Sequence, residues 1–347
     1  MMKRVLGFLL TLMLLAASLP AMAGTPTPIE TIPYDQLPEN RAGLHHYLLL
    51  CMDQWNGGLR DNNDGIVLLT FDDNYVDQSI NLMLSILKYH PDGVAFVCLC
   101  PGLTEAHRQA LLAVNCPVRL LCYDHTPVIP TRRWPACSMF RLFSPWLLDA
   151  DIHRVLYLDS DILCCGDLQP LLDAEPDFLA LCGEVAGNIA PEQQAVITRY
   201  LPTEVYCNSG VCLINLDAFR RAYTFDGFVA LLTEHQAELQ YPDQDLLNFL
   251  FRDRTVILNG LIYNFQPHEL WGSPLYAQAL RSCRLLHFSY RKPWRYRSEL
   301  FLIQLYLRHS QYPPMIRRVR AVRWKSALHI HTITHFPRLF RLWLSQR

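Results

Sequence analysis

Apolar and polar residues alternate through the middle of the chain in a pattern of short apolar runs separated by helical repeats. Residues 66–71 form an apolar run, and residues 77–90 place Ile80, Met83 and Leu87 at the spacing of one helix face. The same reading predicts strands at residues 94–99, 118–122 and 154–158, and helices at residues 105–114 and 141–148. Strands alternating with helices predict an α/β domain with a mostly parallel central sheet flanked by helices.

Polar side chains follow two of these strands directly. Asp72, Asn74 and Tyr75 come after the first strand, and Asp159 and Asp161 come after the strand at residues 154–158. Ligands of such sheets bind at the carboxyl ends of the strands. Two carboxylates in an Asp-x-Asp turn can converge on one divalent cation that also binds phosphate, although an acidic turn without a ligand is the common alternative.

Three later segments add polar groups that suit the same kind of site. Asn208 precedes an apolar strand, and Asp243 and Gln244 stand at the start of a predicted helix. His287 ends a short apolar run, and Lys292 follows five residues later, so these two residues are a candidate metal ligand and a candidate phosphate-neutralising cation. The sequence contains no glycine-rich phosphate loop, so a bound diphosphate would need a metal and a Lys or Arg.

Five sequence blocks in this order resemble glycosyltransferase family 8, whose members include bacterial lipopolysaccharide galactosyl- and glucosyltransferases and glycogenin. The resemblance covers residues 66–300 and rests on LTFDDNY, MFRLFSPWLL, RVLYLDSDILCCGDLQPLLD, YCNSGVCLINLDAF with PDQDLLNFLF, and LHFSYRKPW. It implies a GT-A fold in a single domain at residues 66–310. It also implies a retaining hexosyltransferase that uses UDP-glucose or UDP-galactose, a Mn²⁺ ion and a saccharide acceptor, such as lipopolysaccharide core.

The resemblance also implies roles for individual residues. The metal ligands would be Asp159, Asp161 and His287. The donor would be bound by Asp72, Asn74, Tyr75, Arg141 and Lys292. The catalytic face below the sugar would be formed by Asn208, Asp243 and Gln244. Retention requires a covalent intermediate or front-face attack guided by the leaving phosphate, and the sequence leaves both routes open.

One block departs from the family pattern, which is commonly H-x-x-G-x-x-K-P-W. The segment from His287 to Lys292 is one residue shorter and has no glycine, so we expect a distorted diphosphate loop in which Arg291 can replace Lys292 in charge. A catalytically weak nucleotide-sugar-binding protein is therefore the alternative to an enzyme. A nucleotidyltransferase is a third, less favoured reading, because the glycine-rich basic phosphate loop is missing.

The amino-terminal end predicts an export signal. Lys3 and Arg4 precede an apolar run at residues 5–19, and Ala21-Met22-Ala23 matches a cleavage pattern, so residues 1–23 are a signal peptide or an uncleaved anchor. Residues 24–65 are interpreted as a linker or extension. The expected location is periplasmic or secreted, and the alternative is the cytoplasmic face of the inner membrane.

The carboxyl-terminal end, residues 311–347, is interpreted as a basic aromatic tail. The net charge is −1, yet residues 314–347 hold eight of the 31 Lys and Arg and no acidic residue, which leaves 23 basic against 32 acidic residues before them. Cations beside Trp324 and Trp343 suit a surface that lies on anionic lipid, and a helix packed on the domain is the alternative. Nucleic acid is not an expected partner, because the rest of the chain is acidic.

The twelve cysteines are ambiguous for an exported chain, because none forms a C-x-x-C pair or a zinc spacing. Cys98, Cys100, Cys122 and Cys212 lie within apolar strand-like runs, where cysteine behaves as a small buried hydrophobe. Buried free thiols are therefore predicted for most of the twelve.

Overall fold

The computed structural model describes residues 30–32, 48–56, 65–125, 136–184, 206–235, 241–295 and 298–327. The strands are β1 (Glu30–Ile32), β2 (Leu48–Trp55), β3 (Gly65–Thr70), β4 (Val94–Cys100), β5 (Val118–His125), β6 (Arg154–Leu158), β7 (Ile162–Cys164), β8 (Leu179–Gly183), β9 (Cys207–Asn215), β10 (Thr255–Leu258) and β11 (Leu285–His287). The helices are α1 (Val76–Leu87), α2 (Glu105–Leu112), α3 (Phe140–Leu147), α4 (Gln169–Leu172), α5 (Leu216–Ala222), α6 (Phe225–His235), α7 (Pro242–Leu250), α8 (Gly260–Tyr263), α9 (Tyr276–Ser282), α10 (Leu300–His309) and α11 (Pro313–Ala327).

Within the described residues, nine strands form one sheet in the order β1-β2-β5-β4-β3-β6-β9-β8-β10. The four central strands, β5, β4, β3 and β6, run parallel to one another, whereas β9 runs antiparallel to both β6 and β8. The predicted α/β architecture with a parallel centre is confirmed. The carboxyl ends of β3 and β6, which precede Asp72 and Asp159, lie side by side because these strands pair directly.

Both faces of the sheet are covered, which explains the continuous apolar runs. Leu68 packs in a layer with Phe143 of α3, while its neighbours Val67 and Leu69 pack in the opposite layer with Met83 of α1. Successive side chains of a strand point to opposite faces, so the positions of β3 from Ile66 to Leu69, between two helical layers, are apolar on both faces.

The segment at residues 24–65 is not a linker throughout. It contributes β1 and β2, and β2 pairs antiparallel with β5 at the edge of the sheet. Buried Asp53 of β2 accepts two hydrogen bonds from buried Arg119 of β5, whose guanidinium also lies over the ring of Trp55. This ion pair and the backbone pairing with β5 hold the strand, and the sheet therefore starts before residue 66.

A smaller ribbon of β7 and β11 is separate from the main sheet and contributes side chains to a third apolar layer. The two strands are antiparallel, with Ile162 opposite His287 and Cys164 opposite Leu285. Helices α9, α10 and α11 contribute side chains to this layer, including Met315 and Val319, which are fully buried. The ribbon holds Asp161 and His287 beside each other, since Asp161 directly precedes β7 and His287 ends β11.

The first part of the predicted tail is thus a helix that packs on the domain. Arg317, Arg318, Arg320 and Arg323 of α11 are exposed. Residues 328–347 and residues 1–23, with the predicted signal, lie outside the described residues. Among the helices that the structure describes, none has the length and apolar character needed to cross a membrane.

The predicted burial of cysteines is confirmed for the strand positions. Cys98, Cys100 and Cys212 are fully buried and Cys122 is nearly so, and all four are free thiols.

Candidate active site

The turn Asp159-Ser160-Asp161 connects β6 to β7 and is held on two sides. The Asp159 N–H donates to the carbonyl of Gly210 in β9, at 2.8 Å, and the Asp161 carbonyl accepts from the Phe288 N–H, at 3.0 Å. The turn is therefore fixed by β9 and by the residue after β11. This arrangement brings the Asp-x-Asp motif to His287, more than 120 residues later in the sequence.

Asp159, Asp161 and His287 form a compact group of candidate metal ligands. One ligand atom from each lies within 4.8 Å of the other two. The His287 Nε2 atom is 3.1 Å from Asp161 Oδ1 and 3.7 Å from Asp159 Oδ2. The structure thus brings together the three residues that the sequence assigned to a metal.

A hydrogen-bonded chain of amides orients His287. Its Nδ1 atom is 2.7 Å from Asn264 Oδ1, and the Asn264 side-chain amide donates to Asn208 Oδ1 at 2.9 Å. The amide oxygen at Nδ1 orients the ring so that Nε2 faces the two carboxylates. Sequence reasoning missed Asn264, which follows a short helix and is adjacent to no motif.

The contacts within this group of side chains are those expected of a site for a divalent cation. Among the described residues, buried Asp161 Oδ1 has no hydrogen-bond partner, and the His287 Nε2 atom, a nitrogen that can bind a metal, lies 3.1 Å from it. Two oxygen donors and an imidazole nitrogen suit Mn²⁺ and similar ions. Burial alone would raise the pKa of Asp161, but Lys292 and His287 outweigh burial and hold it well below the usual range of aspartate.

Arg141 of α3 joins the metal-ligand group to the start of α7. Its Nη2 atom lies 3.1 Å from Asp159 Oδ1, and its Nε atom lies 3.3 Å from Asp243 Oδ2. The guanidinium also donates to the Ser209 carbonyl at 2.8 Å and covers the ring of Tyr157. Burial alone would lower the pKa of Arg141, but the acidic groups around it outweigh burial and raise the pKa further, so the positive charge is permanent.

Lys292 reaches the site despite the shortened loop. Its ammonium donates to Asp161 Oδ2 and, at 2.6 Å, to the Ser289 carbonyl. Arg291 turns away, with its guanidinium 3.5 Å from Glu299 Oε1 and over the exposed ring of Tyr290. The expected replacement of Lys292 by Arg291 is therefore not what the structure shows, because Arg291 is directed to the surface.

The predicted sugar-binding residues share one hydrogen-bond network. Gln244 Oε1 accepts from the Asn208 side chain at 3.2 Å and from the Ser209 N–H at 3.1 Å, and its amide donates to Tyr206 at 2.9 Å. Asp243 Oδ2 accepts from the Ser209 hydroxyl at 3.1 Å. These contacts fix both side chains beside Asn208. Neither residue caps α7, because its N-cap position is occupied by Tyr241.

Glu184 belongs to the same network, and the sequence interpretation missed it. It directly follows β8, and its carboxylate accepts from Asn208 at 3.1 Å. Burial raises the pKa of Glu184 above its ordinary value, against the lowering effect of the Asn208 hydrogen bond. The signal that could have found it is the one used for Asp72 and Asp159, namely an acidic residue at the carboxyl end of an apolar strand.

Close packing between β9 and β11 leaves no space for a side chain at Gly210. A Cβ atom there would meet the His287 ring and would lie 2.9 Å from both Asp159 Oδ2 and Asn208 Oδ1. Real Cβ atoms do not approach this closely, so glycine at this position is a condition for the ligand geometry.

The residues after β3 form a more local arrangement. Asp72 Oδ1 accepts from the Asn74 N–H at 3.0 Å, and Asp72 Oδ2 accepts from the Asn74 side chain at 3.2 Å. Tyr75 packs edge-to-face on Trp294, two residues after Lys292. Burial raises the pKa of Tyr75, and the charge of Lys292 opposes this shift.

Comparison with known proteins assigns the chain to a family. The sequence profile described as Glycosyl transferase family 8 matches residues 66–298. A lipopolysaccharide 1,2-glucosyltransferase of Escherichia coli K12 is 29% identical over 201 residues, which are 54% of this chain and 58% of the relative. General stress protein A of Bacillus subtilis is 24% identical and is matched over 66% of this chain and 89% of its own length.

Solved structures support the same assignment. A crystal structure of an active-site mutant of LgtC superimposes with a TM-score of 0.59 and 25% identity, over 73% of this chain and 99% of that protein. The galactosyltransferase LgtC in complex with donor and acceptor sugar analogues superimposes with a TM-score of 0.56 and 25% identity, over 77% and 98%. The chain spans about half the length of the curated lipopolysaccharide glucosyltransferases that it matches.

Proposed function

The chain belongs to glycosyl transferase family 8 and is a glycosyltransferase with a GT-A fold; on this basis we propose that it transfers glucose or galactose from a UDP-sugar to a saccharide acceptor with retention of configuration. The observation that carries this proposal is the group Asp159, Asp161 and His287. Beside it lies a buried amide and carboxylate network suited to sugar hydroxyl groups.

Relatives support the choice of donor and acceptor class. One structural neighbour is a galactosyltransferase captured with donor and acceptor sugar analogues, and one sequence relative is a lipopolysaccharide glucosyltransferase. We therefore propose a UDP-hexose as donor and lipopolysaccharide core as acceptor.

Departure of UDP leaves negative charge on the diphosphate. The chain can stabilise this charge with the metal-ligand group and with Lys292. Asp159, Asp161 and His287 would hold Mn²⁺, which when bound would stabilise the charge on the leaving phosphate. Lys292 stands against Asp161 and adds a positive charge at the same place. Asp72, Asn74 and Tyr75 would contact the uridine at the neighbouring strand end.

The opposite side of the sugar would face Asn208, Asp243 and Gln244. An oxocarbenium-like sugar is stabilised by nearby carboxylate or carbonyl oxygens. Asp243 shares its carboxylate with Arg141 and Ser209, and Gln244 is held at both ends of its amide. These residues are held in one position, so they can support attack by the acceptor through either retaining route.

Donor turnover tests the proposal. Purified protein with Mn²⁺ and a lipopolysaccharide-core oligosaccharide as acceptor should release UDP from UDP-glucose or UDP-galactose and form an α-linked product, detected by the anomeric signal in proton NMR. Asp161→Asn should abolish release, while Asp226→Asn, at an exposed position of α6, should not. Donor binding without release in the wild-type protein would favour the binding-protein alternative, and pyrophosphate release would indicate a nucleotidyltransferase.

The enzyme would work at a membrane surface, where lipid-linked acceptors are found. Support comes from α11, whose arginines 317, 318, 320 and 323 are exposed while Met315 and Val319 are buried against the domain. Each cation near anionic lipid contributes about 1 kcal/mol. Export remains a prediction based on residues 1–23, and the mass of the mature amino terminus tests it.

Charge removal is a sharper test of membrane binding than truncation, because deleting residues 314–347 would also remove buried Met315 and Val319. Replacing the four exposed arginines of α11 by glutamine should weaken binding to phosphatidylglycerol vesicles by roughly 1,000-fold without lowering the melting temperature. Arg281→Gln, at an exposed position of α9, is the control. Unchanged vesicle binding in the fourfold variant would contradict the proposal.

A further inference from the structure

Cys165 and Cys283 form a close thiol pair at the far end of the β7–β11 ribbon. Their Sγ atoms are 3.5 Å apart, although 118 residues separate them in the sequence. Cys165 directly follows β7, and Cys283 stands two residues before β11. The Cys165 N–H donates to the Arg284 carbonyl at 2.8 Å, so the two backbones are already joined by a hydrogen bond at this point.

The surroundings of the pair suit sulfur chemistry. Cys165 is half-buried and therefore within reach of a small reagent, whereas Cys283 is nearly fully buried behind it. Either sulfur can donate the hydrogen bond between them, so when the pair loses one proton the remaining thiol stabilises the thiolate. Cys164 is separate from the pair, because its thiol donates to the Gly166 carbonyl instead.

We propose that Cys165 and Cys283 are an oxidation site that forms a disulfide by exchange with an external disulfide. The Cys165 thiolate attacks the external disulfide, which forms a mixed disulfide and releases one thiol. The Cys283 thiolate then attacks the Cys165 sulfur, which closes the Cys165–Cys283 bond and releases the second thiol. The two electrons lost by the cysteines reduce the external disulfide, and their two protons end on the released thiols.

The disulfide would link the end of β7 to the start of β11, the two strands of the ribbon that carries two of the candidate metal ligands. Asp161 lies four residues before Cys165, and His287 lies four residues after Cys283. The two Sγ atoms are 3.5 Å apart and a disulfide needs about 2.05 Å, so closing the bond would bring them about 1.5 Å closer. A disulfide here would join β7 and β11 covalently and oppose their separation. This effect does not depend on which sugar is transferred.

Equilibration of the native full-length protein with mixtures of oxidised and reduced glutathione tests the proposal. After acid quenching and alkylation, peptide mapping should find a Cys165–Cys283 cross-link, and the intact mass should fall by two hydrogen atoms. The melting temperature of the oxidised protein should exceed that of the reduced protein by roughly 5 °C.

The variant Cys165→Ala should lose this oxidant-dependent rise, and Cys116→Ala, which removes another half-buried thiol, should keep it. Cys283→Ala should behave like Cys165→Ala, and if it does not fold, Cys165→Ala decides the question alone. Complete alkylation of both cysteines after the most oxidising mixture, or a rise that persists in Cys165→Ala, would overturn the proposal.

Discussion

Two buried arginines each join two aspartates, and only one of these groups belongs to the candidate active site. At the sheet edge, Arg119 satisfies both oxygens of Asp53, at 3.0 and 2.7 Å, and also pairs with Asp149; we call these three residues the edge cluster. At the strand ends, Arg141 joins Asp159 to Asp243, and these three residues are the site cluster.

The two clusters differ in whether a buried carboxylate oxygen beside them lacks a hydrogen-bond partner. In the edge cluster the guanidinium fork of Arg119 matches its carboxylates, and the pair that it forms with Asp53 joins β2 to β5. The site cluster adjoins Asp161, whose buried Oδ1 atom has no hydrogen-bond partner among the described residues and lies 3.1 Å from the Nε2 atom of His287. A buried ion pair is therefore weak support for a functional site, whereas an unpartnered buried oxygen beside a second electron-pair donor indicates a cation site.

Removing the unpartnered oxygen should have the largest effect on activity. Asp161→Asn replaces a carboxylate ligand by an amide, and we expect UDP release to fall about 1,000-fold or more, because several kcal/mol of charge stabilisation are lost. Steady-state assays with saturating Mn²⁺ measure this. Activity within about tenfold of wild type, a barrier change of only about 1.4 kcal/mol, would place the metal elsewhere.

Breaking the edge cluster should instead reduce stability. Asp53→Asn leaves Arg119 buried with one carboxylate fewer, and we expect the free energy of unfolding to fall by about 3 kcal/mol. Denaturant titration measures the change, and the activity of the folded fraction should stay near that of wild type. A large loss of activity in fully folded Asp53→Asn would show that the two clusters are coupled.

A methyl group at Gly210 should damage the site and leave the edge cluster unchanged. Gly210→Ala forces the His287 ring or Asp159 to move, and we expect the affinity for Mn²⁺ to fall about 10- to 100-fold. Titration calorimetry measures the affinity. Gly102→Ala is the control, since a Cβ atom there has open space. Equal Mn²⁺ affinity in the Gly210 and Gly102 variants would contradict the ligand geometry.

Substitution of Glu184 should have the smallest effect, a change in how the stability of the protein depends on pH. Its pKa is raised by burial in the folded protein, so its favourable contribution is full below the unfolded pKa and is lost as the pH rises through the folded pKa. Glu184→Gln should therefore gain stability relative to wild type as the pH rises from the acidic range to neutrality. Parallel urea titrations across this range test the sign, and a constant difference would show that the carboxylate is adequately solvated.

The sequence was sufficient for the central strands and for the residues at their ends. Periodicity placed the elements from β3 to β6 within a few residues, because each strand is covered on both faces and is therefore mostly apolar. The resemblance named Asp159, Asp161 and His287, and the register of β7 with β11 brings them together.

The remaining features depend on contacts that no local pattern records. Asn264 orients His287 only because the ribbon lies against residues 264–266, and Glu184 reaches Asn208 only through the pairing of β8 with β9. The strand β2 was interpreted as part of a linker, although its partner β5 and the Asp53–Arg119 pair hold it in the sheet. Such contacts connect distant segments, so the sequence alone does not reveal them.

Asp159, Asp161 and His287 are proposed to hold one divalent ion for sugar transfer, and every other role at the site depends on that ion. Mn²⁺ titration of wild type, His287→Ala and Asp53→Asn in the presence of UDP tests this most directly. We expect one ion per chain, an affinity reduced about 10- to 100-fold or more in His287→Ala, and no change in folded Asp53→Asn. Equal Mn²⁺ affinity in wild type and His287→Ala, or full sugar transfer in excess chelator, would contradict it.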